Sequence, residues 1–393
     1  MFHVKQEPAE DWHEGGFSLY IHWPFCKAKC PYCDFNSHVR NAIDQAEWKA
    51  AYLQELDRAA EETGGRILRS VFFGGGTPSL MDPDTVGAIL DRVSRHWRMT
   101  NDFEVTLEAN PTSVEASRFS GYRSAGVNRV SLGLQALNDH DLRRLGRQHS
   151  ASEGLAALDL ARSLFDRTSC DLIYARQDQD LASWGGELRH VLARGPDHIS
   201  LYQLTVEEGT VFARLYDAGK LRGLPDEDLA ADMYDLTTAL CADAGLMGYE
   251  VSNYALPGSE SRHNLTYWRM GDYLGIGPGA HGRLTLAGRR HATLCHKSPE
   301  LWLESLRKTG RGEVPRETIS PQDQALEYLM MSLRLTEGLS MPRYTRMLGR
   351  SLNMGKINDL QQNDFIRLAG DQLAATETGR LLLNRLILEL SEA

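Results

Sequence analysis

Cys26-Lys-Ala-Lys-Cys30-Pro-Tyr-Cys33 sets three thiols within eight residues, in a C-x3-C-x2-C spacing. An iron–sulfur cluster of the 4Fe-4S type takes four ligands, normally thiolates. Three thiolates from one loop leave one iron without a protein ligand, and that position is open to a small molecule. The preceding segment, Phe17-Ser-Leu-Tyr-Ile21, is apolar and β-prone, while Pro24 and Pro31 bar a long helix across the cysteines. The expected geometry is therefore a strand followed by a cysteine-bearing loop. Zinc is the alternative, because His22 or His38 could add a fourth ligand to the three thiols. Disulfides are not expected. Six cysteines in 393 residues, three of them isolated at Cys170, Cys241 and Cys295, suit a reducing compartment and buried apolar thiols.

Downstream of the cysteines, strand-like and helix-like segments alternate as far as about Ser252. The strands are expected at Ser18–His22, Ile67–Phe73, Phe103–Glu108, Asn128–Gly133, Thr168–Ile173 and His198–Leu204. Between them, helical spacing marks Ala46–Thr63, Asp84–His96, Val114–Ala125, Asp139–Gly146, Ala151–Phe165 and Leu181–Ala193. Alternation of this kind means parallel pairing with crossovers. Six such units predict an α/β fold, a partial (β/α)6 TIM-like barrel over residues 17–253. Function in such barrels gathers at the carboxyl ends of the strands. A helix at Asp226–Ala244 and a strand at Leu246–Asn253 follow. Residues 254–319 read as a linker region. From about Ser320, helices at Gln324–Arg334, Pro342–Leu348 and Lys356–Asn363, a hairpin around Gly370-Asp371 and a last helix at Glu377–Leu390 suggest a winged-helix-like unit over residues 320–393.

Residues 1–16 are polar and acidic with no apolar run, so they are expected to form a flexible tail and not a targeting signal. No window approaches the ~18 uninterrupted apolar residues of a spanning helix, and a cytoplasmic location is expected. The net charge of −10 disfavours a nucleic-acid partner, which needs a basic footprint.

Every chemical motif falls at a predicted strand end. Phe72-Phe-Gly74-Gly75-Gly76-Thr77-Pro78 directly follows a strand, and its glycines let a ligand approach the backbone. Val105-Thr-Leu-Glu108 ends the next strand in a carboxylate that can accept two hydrogen bonds from vicinal hydroxyls. Arg129-Val-Ser-Leu-Gly133-Leu-Gln135 places an amide at the following strand end, Arg147 comes twelve residues later, and Asp171 lies in Cys170-Asp-Leu-Ile-Tyr174.

Together with the cysteines, these residues resemble the radical S-adenosylmethionine (SAM) superfamily, in which the amino and carboxylate groups of SAM chelate the open iron. Leu19-Tyr-Ile-His-Trp-Pro-Phe-Cys26 and Tyr32-Cys-Asp-Phe-Asn-Ser-His38 are similar to the HemN/HemW group, which contains an oxygen-independent coproporphyrinogen III oxidase and a heme chaperone. The resemblance runs from about Phe17 to the C-terminus. It implies cluster ligation by Cys26, Cys30 and Cys33, and SAM contacts from Gly75, Gly76, Thr77, Glu108, Gln135, Arg147, Asp171, Tyr20 and Tyr32. After Asp171-Leu-Ile-Tyr this group usually has Gly-Leu-Pro, but the present chain has Ala175-Arg176-Gln177.

His263-Asn264-Leu-Thr-Tyr267-Trp268 resembles the H-N-x-x-Y-W signature of the chaperone branch. A neutral imidazole is a competent axial ligand to heme iron, and Tyr267 and Trp268 offer flat apolar area to a porphyrin. The resemblance therefore implies heme binding through His263, Asn264, Tyr267 and Trp268. In the loop Gly275-Ile-Gly-Pro-Gly-Ala-His281, residues Ile276, Gly277 and Ala280 are candidates to border the SAM site, and His281 is a second heme candidate. The oxidases usually carry a further cysteine two residues after the third ligand, where this chain has Phe35. The expected function is a heme chaperone holding a 4Fe-4S cluster, SAM and heme. Its expected partners are an electron donor and acceptor proteins such as respiratory cytochromes. The alternative is oxidative decarboxylation of coproporphyrinogen III to protoporphyrinogen IX.

Overall fold

A computed structural model describes residues 10–391. Six strands, β1 Phe17–Trp23, β2 Ile67–Gly75, β3 Arg98–Ala109, β4 Arg129–Gln135, β5 Arg167–Tyr174 and β6 His198–Gln203, lie side by side in chain order. All neighbouring pairs among them are parallel. Parallel pairing follows from the crossover helices, whose ends are chemically marked. Asp44 caps Gln45–Thr63 through the amides of Ala46 and Glu47, and Ser150 with Glu153 forms a capping box on Ala151–Leu164. Phe17, Leu19, Ile21 and Trp23 are fully buried on one face of β1, and Ser18 and His22 are buried on the other, as in a strand inside a parallel sheet covered on both faces.

The sheet extends past the six predicted strands on both sides. Beyond β6, Asn253–Ala255 (β7) adds antiparallel, followed by the short strand Met247–Gly248. Beyond β1, Asp272–Ile276 (β8) pairs parallel with it, and an antiparallel hairpin of His281–Leu286 (β9) and Arg289–Leu294 (β10) follows. The single strand expected at Leu246–Asn253 is thus two short ones, broken between residues 248 and 253. The expected linker 254–319 is instead integral to the main sheet, because β1 needs a partner on its free edge. Twelve strands form one open series with Glu317–Thr318 and Met247–Gly248 at its ends.

The part of the expected N-terminal tail that is described is packed. Asp11–Glu14 forms a turn of 3-10 helix and Trp12 is buried beneath the Arg66 guanidinium at 4.3 Å. Asp11 accepts hydrogen bonds from Arg343 at 2.9 and 2.6 Å, tying this turn to the C-terminal unit. The remainder of the tail, residues 1–9, lies outside the described residues. Among the described residues the C-terminal unit holds five helices, Pro321–Ser332, Met341–Leu348, Met354–Gln362, Glu377–Leu381 and Leu383–Ser391, with a three-stranded sheet and its own apolar core around Tyr328, Leu329, Leu373 and Leu386. Two expected helices are each broken in two, into Ser113–Ala116 with Phe119–Ala125 and Glu377–Leu381 with Leu383–Ser391.

Helix Arg262–Trp268 closes the amino-terminal end of the parallel set. Ser261 caps it, and the buried Glu104 of β3 accepts the backbone N–H groups of Arg262 and His263, both at 3.2 Å. Burial alone would push Glu104 up, but Arg129, Arg167 and those amides outweigh it and hold the carboxyl below its usual range.

Candidate functional site

At the opposite, carboxyl end of the strands lies a cavity of about 430 Å³, and Cys26, Cys30 and Cys33 all line it. Two loops build this end together. The Gly76 amide donates to Trp23 O at 2.7 Å and the Thr77 amide to Phe25 O at 2.8 Å, so the glycine loop is stitched to the segment that leads into the cysteines. Gly75 has φ +109°, and a Cβ there would lie 2.6 Å from the His22 imidazole. At Gly76 a Cβ would lie 2.8 Å from Phe25 O. Only glycine allows the backbone this close to its neighbours at both positions.

A continuous polar chain links two of the thiols. Thr77 Oγ1 lies 3.3 Å from Cys26 Sγ, and the Asn110 amide donates to Thr77 Oγ1 at 3.3 Å. Arg147 donates to Asn110 Oδ1 at 2.6 Å and to Gly133 O at 2.9 Å, and its Nη1 stands 3.7 Å from Cys30 Sγ. Asn110 was not visible as a site residue in sequence, although it sits two residues beyond Glu108. Burial raises the pKa of Cys26 and of Cys33, so the free thiols favour the protonated form and a metal must displace the proton on binding.

Glu108, Gln135, Arg147 and Asp171 line the same cavity, as do Tyr32, Gly75, Gly76 and Thr77. Burial first and the Asp171 carboxylate second push Glu108 up to about 8. Asp171 is also raised by burial, and it accepts from Ser131 Oγ at 3.1 Å. Gln135 has φ +65° at a register shift in the β4–β5 pairing, a bulge that re-aims the strand end. The departure at Ala175-Arg176-Gln177 leaves Asp171 in place. Ala175 takes φ +56°, and Arg176 is buried with ion pairs to Asp141 at 2.9 Å and Glu187 at 2.5 Å.

The other predicted residues are not among those lining the cavity. Tyr20 lies beneath it, with its hydroxyl 3.1 Å from His22 Nδ1. His22 Nε2 lies 2.9 Å from Asn36 O, so both its ring nitrogens are engaged and it offers no fourth metal ligand. Ile276, Gly277, Ala280 and His281 also stand outside the lining. His263, Asn264, Tyr267 and Trp268 belong to the helix at the far, amino-terminal end. His263 is 1% exposed, its Nδ1 lies 2.8 Å from Ser70 Oγ, and its Nε2 lies 2.6 Å from Tyr267 Oη. Burial pushes its pKa down to about 3, so the ring is neutral. An axial ligand must present a free nitrogen to an open face. This imidazole has both nitrogens hydrogen-bonded inside the core, away from the residues that line the cavity.

The three thiols, the glycine cradle and the strand-end carboxylates fit a thiolate-bound cluster with a small polar ligand. Among the described residues no three His, Cys, Asp or Glu side chains close on a single metal ion. A 4Fe-4S cluster asks for a wider set, one thiolate per iron. Among the described residues, no helix is long and apolar enough to cross a membrane.

Residues 20–182 match the radical SAM superfamily and residues 319–382 match the HemN C-terminal domain. The chain is 36% identical to heme chaperone HemW of Escherichia coli strain K12, over 94% of this chain and 97% of that protein. It is 39% identical to heme chaperone HemW of Haemophilus influenzae, over 94% and 96%. It is 38% identical to the mitochondrial radical S-adenosyl methionine domain-containing protein 1 of Bos taurus, over 95% and 87%. Among solved structures it resembles the coproporphyrinogen III oxidase HemN of Escherichia coli, a radical SAM enzyme. The TM-score is 0.81 at 21% identity, covering 98% of this chain and 92% of that one, a likeness of fold.

Proposed function

The chain belongs to the radical SAM superfamily and, within it, to the family of the HemW heme chaperones, and on that premise we propose that it binds heme and passes it to acceptor proteins. Cys26, Cys30 and Cys33 would hold a 4Fe-4S cluster, which when bound supplies an electron-transfer centre with one iron free for the amino and carboxylate groups of SAM. Gly75, Gly76 and Thr77 let that ligand lie against backbone. Glu108 accepts its ribose hydroxyls, and the proton held on Glu108 leaves as they bind. Gln135 and Asp171 complete the polar wall, Arg147 fixes Cys30, and Tyr32 covers the cysteine loop. Respiratory cytochromes are the class of acceptor, and a separate one-electron donor would serve the cluster.

The observation that carries this reading is the convergence of three thiols, the strand-borne Glu108, Gln135 and Asp171, and the loop residue Arg147 on one cavity, in a chain kin to heme chaperones over nearly its whole length. The test is an anaerobic heme titration of the cluster-loaded protein, followed in the Soret region, and then mixing with an apocytochrome. Saturable one-to-one binding and transfer of the signal to the acceptor are expected. Unsaturable adsorption, or protoporphyrinogen IX formed from coproporphyrinogen III at catalytic turnover, would replace the chaperone with an oxidase.

A further inference from the structure

The strand end that carries Gln135 into the cavity is held from outside the cavity. Gln135 has φ +65°, and the Ala136 amide donates to Leu134 O at 2.8 Å, so Gln135 is the central residue of a γ-turn of the rare, strained hand. The turn folds its amide back over Gly133, where a Cβ would lie 2.8 Å from Gln135 Nε2 and 3.2 Å from Arg147 Nη2. A backbone strained in this way persists only where its surroundings fix it. Here one ion-paired cluster holds both ends of the turn. Arg176 donates through Nη1 to Gln135 O at 3.4 Å and also to Ile173 O. The same guanidinium bonds through Nη2 to Glu187 at 2.5 Å and through Nε to Asp141 at 3.0 Å. With its other oxygen Glu187 accepts the Leu137 amide at 2.5 Å. Arg176 is 3% exposed, and neither it, Asp141 nor Glu187 lines the thiol cavity.

We propose that Arg176 is a positioning residue of the SAM site: through Gln135 O and, by way of Glu187, the Leu137 amide, it holds the turn that aims the Gln135 amide at the ligand. The proposal rests on the SAM-binding part of the functional reading and adds to it a residue outside the cavity. The geometry asks for a guanidinium. Its rigid fork reaches carboxylates on two helices, Asp139–Arg144 and Leu181–Leu192, and two strand-end carbonyls at once. An ammonium is a single point charge and cannot span that set. Arg176 also stands in Ala175-Arg176-Gln177, where the sequence departs from Gly-Leu-Pro, and a leucine there would offer the turn no donor.

The experiment titrates SAM anaerobically, by calorimetry, into the cluster-loaded full chain and into Gln135→Ala, Arg176→Leu, Arg176→Lys and the double variants of Gln135→Ala with each. Iron content and the urea midpoint are measured for every protein. Gln135→Ala and Arg176→Leu should each weaken SAM about tenfold, the worth of one hydrogen bond to the ligand. Arg176→Lys keeps a cation between Asp141 and Glu187, so its urea midpoint should stay near the parent's while SAM still weakens about tenfold. If Arg176→Leu does not fold, Arg176→Lys decides alone. In the Gln135→Ala background either Arg176 substitution should cost no more than a further factor of about two, since the two residues act as one. A folded, iron-loaded Arg176→Leu or Arg176→Lys that binds SAM within about twofold of the parent overturns the proposal. Losses that multiply in full in the double variants make Arg176 a general support of the fold and also overturn it. Gln135→Ala at parental affinity leaves nothing to position and overturns it as well. A parent chain that holds its cluster yet binds no SAM removes the SAM reading itself, and this role of Arg176 with it.

Discussion

His263 Nε2 and Tyr267 Oη stand 2.6 Å apart, one turn along a single helix, and with Ser70 on the other ring nitrogen they close the amino-terminal end of the strands. His263→Ala therefore empties a packed position and takes the imidazole partner from the Tyr267 hydroxyl, while Ser70 Oγ keeps Ser18 Oγ at 2.8 Å. The variant should lose about 3 kcal/mol of unfolding free energy, read as a lower urea midpoint at unchanged slope. Where it remains folded, its heme affinity should stay within about twofold of the parent, since removing a ligand from the iron costs far more. A collapse of heme binding with an unchanged urea midpoint would return His263 to the iron.

Each cysteine of the loop supplies one third of the protein's ligands to the proposed cluster. Cys26→Ala, Cys30→Ala and Cys33→Ala should each drop bound iron to near zero after anaerobic reconstitution and abolish the visible cluster absorption. The fold should survive, because this loop contributes only the two-residue strand Phe25–Cys26 to regular structure. Full iron in any one of the three would exclude that residue as a ligand.

Arg147 approaches Cys30 Sγ through Nη1 while its other nitrogen is fixed by Asn110 and Gly133. A cation donating toward a ligand sulfur stabilises the more negative, reduced cluster. Arg147→Gln should lower the midpoint potential by roughly 60 mV, a tenfold change in a one-electron equilibrium. Potentiometric titration followed by electron paramagnetic resonance reads this directly. An unchanged potential at full iron loading would confine Arg147 to holding Asn110.

The strand and helix order was legible because its signals are local. Caps such as Asp44 and Ser150 with Glu153 mark helix starts, and Phe17, Leu19, Ile21 and Trp23 recur at the two-residue period of a strand with one apolar face. The cavity residues were legible for a related reason: in a parallel set, every strand end delivers its side chain to one place. The hairpin β9–β10 was hidden because its turn is Ala287-Gly288, with φ +49° and +74°. Those are the angles of a type I′ turn, but alanine lacks the Asn-Gly signature that announces one. Asn110 gave no signal because an asparagine is not diagnostic alone. The position of His263 at the amino-terminal end was not legible, because a residue's chemistry does not fix which end of a barrel it occupies. Its partners Ser70 and Glu104 come from β2 and β3, far away in sequence.

Glu108 gives the last prediction, and its sign follows from its surroundings. Burial and Asp171 push its pKa up to about 8, above the ordinary 4.5, so the folded chain binds this proton more tightly than the unfolded chain. Stability of the cofactor-free protein should then fall as pH rises from about 4.5 to about 8, and level off above. In Glu108→Gln that slope should be shallower over the same window, measured as urea midpoints at matched ionic strength. Because the ionised carboxylate is the better acceptor for ribose hydroxyls, SAM binding should release a proton below pH 8 and tighten as pH rises towards it. Calorimetry in two buffers of different ionisation enthalpy measures that release in the parent, and it should vanish in Glu108→Gln. Equal proton release in both proteins would move the titrating group elsewhere, with Asp171, the other raised carboxyl of the cavity, the residue to substitute next.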